Sequence, residues 1–125
     1  MRTPDLPAAY FAVIFTSHRT DAHDDEYAAV AARMAELAEE PPGFLGIDSA
    51  RDPDGRGITV SYWRSEADIA AWKAVAEHVD AQRAGRSRFY DWYSTRVARV
   101  ERQYEYRADG SDTDIDDEVA ATPET

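Results

Sequence analysis

The chain has no cysteine, which removes disulfides, thiolate zinc sites, iron–sulfur clusters and cysteine nucleophiles together. Lysine is nearly absent as well: Lys73 stands alone beside thirteen arginines, a bias that carries little about chemistry. The six glycines form neither a GxGxxG nor a P-loop pattern, so no phosphate-cradling loop and no nucleotide cofactor is implied. No apolar run approaches the roughly 20 residues that cross a bilayer. The opening segment MRTPDLPAAYFAVIF lacks the charged region and long apolar stretch of a secretory signal, and a cytoplasmic protein without membrane partners is expected. Positive charge is also in short supply, with 25 acids against 14 bases and a net charge of -11. A field of that sign repels phosphate backbones, so nucleic acid is not an expected partner.

What remains is a chain of 125 residues, enough for one core. The excess acid is unevenly placed: residues 107–125 carry -6 and residues 1–106 carry -5. The acidic stretch 107–125 is nearly devoid of large apolar groups, cannot offset the entropy of ordering, and is predicted to be a disordered tail. Residues 1–9 read as an N-terminal arm and 10–106 as the folded domain.

Within that domain, residues 10–16 are aromatic and β-branched and too short for a helix, which predicts a first strand. Asp24, Asp25 and Glu26 suit a helix N-terminus, and Tyr27, Val30, Ala31, Met34, Leu37 and Ala38 recur on one face until Pro41-Pro42-Gly43 stops the helix. Residues 44–50 and 57–63 flank Asp52-Pro53-Asp54-Gly55, a turn with proline to preset φ and glycine to accept positive φ. Ser65 with Asp68 makes a capping-box-like start to a second helix from about residue 66, continued by Ile69, Trp72, Val75, Ala76 and Val79. Gly85 interrupts it, Arg88 to Trp92 forms a helical turn or an extended lead, and residues 93–106 alternate as a last strand.

The order βαββαβ predicts an α+β, ferredoxin-like fold: a four-stranded antiparallel sheet with both helices on one face. Strands one and three carry large residues on both alternations, so the second face needs cover too. A homodimer with two sheets packed face to face, a dimeric α/β barrel, is the expected solution.

The words Pro42-Gly43-Phe44-Leu45-Gly46, Gly57-Ile58-Thr59-Val60-Ser61-Tyr62-Trp63, Ala71-Trp72-Lys73 and Glu77-His78, followed by Gly85-Arg86 and Phe89-Tyr90, resemble the antibiotic biosynthesis monooxygenase domain family over about residues 10–106. The resemblance implies a dimeric α/β barrel. Its members include cofactor-free oxygenases of anthrones and quinols, haem-degrading enzymes and proteins without assigned activity. A helix-two tryptophan walls the pocket in both enzyme groups, and Trp72 matches it, although such a residue is in general core filling. The haem degraders' axial histidine lies ten residues beyond that tryptophan, where this chain has Gln82. The anthrone oxygenases have a tyrosine six residues after it and an asparagine four before it; here these positions are His78 and Asp68.

These residues suggest cofactor-independent oxygenation, with no flavin, metal or other cofactor. A phenol or quinol would bind among Phe15, Tyr62, Asp68, Trp72, Phe89, Tyr90 and Trp92. His78, about 120° from Trp72 around the helix, would act as general base, with Arg86 or Arg88 holding the anion. A bland reading stands beside each: a surface histidine, solvated arginines, aromatics that pack a dimer. His18 and His23, among Asp21, Asp24 and Asp25, lack the paired inward ligands of a metal site. The rival functions are a non-enzymatic dimeric small-molecule-binding or stress-associated protein, and a haem-binding or haem-degrading relative.

Overall fold

The structure, a computed structural model, describes residues 9–82 and 89–108, the side chains of 78–82 excepted. The arm up to residue 8, the tail from 109, Arg86 and Arg88 lie outside the described residues. Six elements follow one another: β1 (Tyr10–Arg19), α1 (Asp24–Ala38), β2 (Phe44–Arg51), β3 (Arg56–Trp63), α2 (Glu66–Gln82) and β4 (Tyr90–Val100). The sheet order is β2-β3-β1-β4 with every pairing antiparallel, which is the ferredoxin-like arrangement expected from βαββαβ.

The hairpin strands differ from the sequence reading by one residue each, β2 ending at Arg51 and β3 starting at Arg56; the larger differences have reasons of pairing or packing. β1 runs on through Ser17, His18 and Arg19, because this central strand has β3 on one side and β4 on the other to satisfy its backbone groups. β4 begins at Tyr90 and ends at Val100, whose partner is Tyr10, the first residue of β1; beyond it residues 101–107 pair with no strand among the described residues. In the helices, Val30, Ala38 and Ala76 are buried while Ala31 and Val75 are exposed, so the covered stripe is narrower than the apolar pattern.

The local chemistry accounts for the connections. In the β2–β3 hairpin the Gly55 amide donates to the Asp52 carbonyl at 3.1 Å, and Gly55 takes φ 95°. At α2 the Ser65 hydroxyl and the Asp68 backbone and carboxylate close a box, with Asp68 N–H to Ser65 Oγ at 3.2 Å and Ser65 Oγ to Asp68 Oδ2 at 2.8 Å. The Asp68 carboxylate fills the space where a Cβ at Gly43 would stand. α1 starts from His23, which adopts φ 63° and supplies no side-chain cap.

One irregularity sets how β4 faces its neighbours. The β1–β4 register pairs His18 with Trp92 but Arg19 with Tyr90, leaving Asp91 as the extra residue of a bulge. The core beneath α1 is built on Val30 and Phe89, with Tyr27, Met34, Leu37 and Tyr90 packed around them. At the other end of the sheet the fully buried Trp63 stacks on Trp72 at 6.0 Å and meets Phe44 edge-on at 5.4 Å. Burying one tryptophan removes about 150–250 Å² from water, or roughly 4–6 kcal/mol of transfer free energy.

Candidate functional site

Side chains alternate across a sheet, and residues paired in register share a face. Trp63 touches Trp72 of α2, and Arg51 donates to the Tyr27 hydroxyl of α1 at 3.1 Å, so the rows containing them face the helices. Read from β2 to β4, those rows are Phe44–Trp63–Phe11–Arg99, then Ile47–Ser61–Val13–Val97, then Ser49–Thr59–Phe15–Thr95, then Arg51–Gly57–Ser17–Tyr93. Successive rows are about 6.5–7 Å apart.

On the central strand β3 this face is paved with Gly57, Thr59 and Ser61, while Ile58, Val60 and Tyr62 point the other way. These short side chains set a low floor beneath the two helices, with Gly57 and Ser61 buried. The exposure pattern agrees: Thr59, Val13 and Phe15 are half-buried, Ser49 is exposed, and Tyr93 and Val97 retain 44% and 52% exposure although they face the helix side. The lane is bounded at one end by the Trp63–Trp72 pair and at the other by an aromatic cluster. In that cluster Phe15 lies 5.4 Å from both Tyr90 and Tyr93, and Tyr27 meets Phe89 and Tyr90 edge-on at 5.6 and 5.9 Å.

The residues anticipated from sequence divide accordingly. Trp72, Phe15 and Tyr90 lie on the helix side, with Trp72 and Phe15 two rows apart. Phe89 is buried in the core under α1, where its carbonyl accepts from the Thr20 backbone at 2.8 Å. Tyr62 and Trp92 face away from the helices and so are not grouped with Trp72: Tyr62 pairs with Ala12, and Trp92 pairs with His18. Asp68 is engaged in the start of α2. His78 lies on α2 six residues after Trp72, its side chain outside the described residues, as are Arg86 and Arg88.

On the far face, the Tyr62 hydroxyl donates to Asp48 at 2.8 Å; burial, then this bond and the carboxylate charge, push its phenol up to about 12. Tyr10 packs edge-on to Tyr62 at 5.9 Å, and burial raises its phenol too. Neither is poised to move a proton near neutrality. His18 is held between the Asp91 carboxylate, 2.9 Å from Nδ1, and the Asp54 carbonyl, 2.9 Å from Nε2, and so acts as a tie between β1, β4 and the hairpin. No three His, Asp or Glu side chains converge on a metal position among the described residues.

Several features of the helix-side lane escaped the sequence reading. Arg19 is buried, ion-paired with Asp24, and lies 3.9 Å from the Tyr27 ring centroid. Arg51 lies over Gly57, where an added Cβ would come within 2.7 Å of the guanidinium carbon. Ser17, 1% exposed, has a buried hydroxyl with no hydrogen-bond partner, an arrangement that costs about 1–3 kcal/mol. Tyr93 and Val97 were detectable from alternation, since they share the phase of Arg99. Ser17 and Arg51 carry no sequence signal of their own.

Comparison with known proteins decides the family. The family model described as antibiotic biosynthesis monooxygenase matches residues 10–84, more than half of the chain. The chain belongs to that family. The uncharacterized protein YqjZ of Bacillus subtilis is 46% identical over 111 residues, covering 89% of this chain and 95% of YqjZ. A protein named jasmonate monooxygenase ABM, from Pyricularia oryzae, is 28% identical over 92 residues, covering 72% of this chain but only 43% of its own length. Among solved structures, SnoaB of Streptomyces nogalater, described as a cofactor-independent oxygenase, matches with a TM-score of 0.54 at 20% identity, over 76% of this chain and 94% of SnoaB. At that identity the likeness is one of fold. Antibiotic biosynthesis monooxygenase domains share this ferredoxin-like sheet, and in the present member no helix of the described residues is long and apolar enough to cross a membrane.

Proposed function

We propose that this family member is a cofactor-independent monooxygenase that takes a small aromatic phenol, quinol or anthrone into the lane between its helices and sheet. The observation that carries the reading is the lane itself, floored by Gly57, Thr59 and Ser61 and flanked by Trp72, Phe15, Tyr90 and Tyr93. Flat rings match such a slot in shape, and aromatic walls hold them by offset or edge-on contacts. The family membership and the monooxygenase-named relatives support the reaction class.

In this mechanism Trp72 walls the ring and His78, from its place on α2, removes the acidic proton of the substrate. The resulting carbanion or phenolate is electron-rich enough to reduce dioxygen directly. For an anthrone-type methylene the balance is one dioxygen consumed, one oxygen atom kept as the new ketone, and the other released with the two methylene hydrogens as water. A flat ring seated against the aromatic lining displaces water from the lane, which strengthens the charge interactions that stabilise the anion. The same reading has the far sheet faces of two copies packed together as a homodimer.

Oxygen uptake by the purified protein on a panel of reduced naphthoquinols and anthrones, with autoxidation subtracted, tests it. Uptake should fall by about 10²-fold or more in His78→Ala, the range a positioned general base contributes. Thr59→Trp, which fills the lane and leaves His78 in place, should abolish uptake as well. Absence of protein-dependent uptake across the panel, or full turnover by His78→Ala, would sink this reading.

A further inference from the structure

Arg51, Tyr27 and Ser17 lie at one end of the lane, each with donor capacity left over. The Arg51 guanidinium gives one nitrogen to the Gly55 carbonyl at 2.6 Å and another to the Tyr27 oxygen at 3.1 Å. A guanidinium carries five N–H groups, so part of its fork remains. Arg51 has no carboxylate partner among the described residues, unlike Arg19, whose charge is matched by Asp24. Tyr27 receives a hydrogen bond on its oxygen, which leaves its own O–H to donate. Ser17 is the third, its buried hydroxyl unpartnered and its backbone beside Gly57, the residue over which the Arg51 guanidinium lies.

We propose that Arg51, Tyr27 and Ser17 form an anion seat at this end of the lane, and that the natural ligand carries a carboxylate bound there. The proposal rests on the reading of the lane as a ligand site and adds the charge and orientation of what it holds. The seat offers one unmatched positive charge, which suits a monoanion; a phosphate dianion would leave excess negative charge in a protein already at -11. Geometry then orders the ligand. With its carboxylate on the Arg51–Gly57–Ser17–Tyr93 row, a bicyclic ring covers the next row or two, about 7–14 Å of sheet, over Thr59, Phe15, Ser61 and Val13 toward Trp72. Gly57 is part of the seat, because any side chain there would displace the guanidinium.

A matched pair of probes tests this without knowledge of the substrate. Binding of 2-naphthoate and of 2-naphthalenemethanol, one charged and one neutral with the same ring, is measured by calorimetry and by quenching of tryptophan fluorescence. The wild-type protein should prefer the carboxylate by about tenfold or more, the scale of a charge-assisted hydrogen-bonded pair. Arg51→Gln should remove that preference while leaving the alcohol's affinity unchanged, and Ser17→Ala should weaken the carboxylate alone. Gly57→Ala removes no donor, yet should lower the preference by moving the fork. Equal affinity for both probes in the wild type overturns the seat and leaves the lane standing. Loss of both probes alike in Arg51→Gln, with a lowered melting temperature, assigns Arg51 a structural role and also overturns the seat. Failure of both probes to bind the wild type overturns both the seat and the reading of the lane.

Discussion

The two faces of the sheet share a backbone and differ in nearly everything hung on it. Toward the helices β3 presents Gly57, Thr59 and Ser61; away from them it presents Ile58, Val60 and Tyr62. The helix side has its bulk at the two ends, with Trp63 on Trp72 at one and the Tyr27–Phe89–Tyr90 cluster at the other, and small groups between. The far side is continuous, from Tyr10 and Tyr62 through Ala12 and Val60 to Ile58 and Trp92, and its last two members keep 47% and 45% exposure. A surface filled to one level is made to meet another surface, whereas one with a central trough is made to hold something smaller. On the function proposed above, the first job falls to the far face and the second to the helix face.

The largest expected effect breaks the helix side at its packed end. Trp63→Ala should cost about 3–5 kcal/mol, the range for truncating a buried aromatic, read as a shift in the denaturant midpoint. Next, Ile58→Glu with Trp92→Glu places two charges on the far face. If that face joins two copies, sedimentation should report conversion of dimer to monomer, while the helix-side lane still binds its ligand; an unchanged sedimentation coefficient would undo the contrast.

A subtler probe of the far face is the Tyr62–Asp48 bond. The Tyr62 phenol is raised above its ordinary 10.0 to about 12. Its protonated form is therefore favoured by folding, and its contribution to stability is present in full below pH 10 and lost as pH rises through about 12. Asp48→Asn removes the carboxylate charge but not the burial, so the tyrosinate absorbance transition should move down from that value and the alkaline loss of stability should shift with it. The smallest effect lies in neither face. His23 holds a left-handed conformation at the start of α1 and caps nothing; asparagine tolerates that backbone and can accept from the first helical amides. His23→Asn should stabilise by about 0.5–1 kcal/mol in thermal unfolding.

Much of the fold was legible because its signals are local. The Asp52–Gly55 turn, the Ser65–Asp68 box and the stop at Pro41-Pro42-Gly43 each define a boundary from three or four residues, and the alternation of 57–63 gives the faces of β3. The site was less legible because its grouping depends on register. Tyr62 and Trp63 are neighbours in sequence and lie on opposite faces, and Trp92 parts from Tyr90 only through a bulge that no composition rule announces. The Arg51 fork is less visible still: it matters because a glycine on the next strand leaves space above it, and the pairing of residues 51 and 57 belongs to the folded hairpin.

That bulge has a consequence for how this scaffold can change. With an unbroken ladder, Tyr90 and Trp92 would project to the same side; the extra residue Asp91 hands Tyr90 to the helix side and keeps Trp92 on the other. Deleting Asp91 would close the ladder with Tyr90 still opposite Arg19 and Trp92 still opposite His18, whereas regular pairing of the existing residues would set Asp91 opposite Arg19 and send Tyr90 to the far face. The bulge thus lets the Asp91 carboxylate reach His18 without moving Tyr90 from its place beside Phe15 and Tyr27.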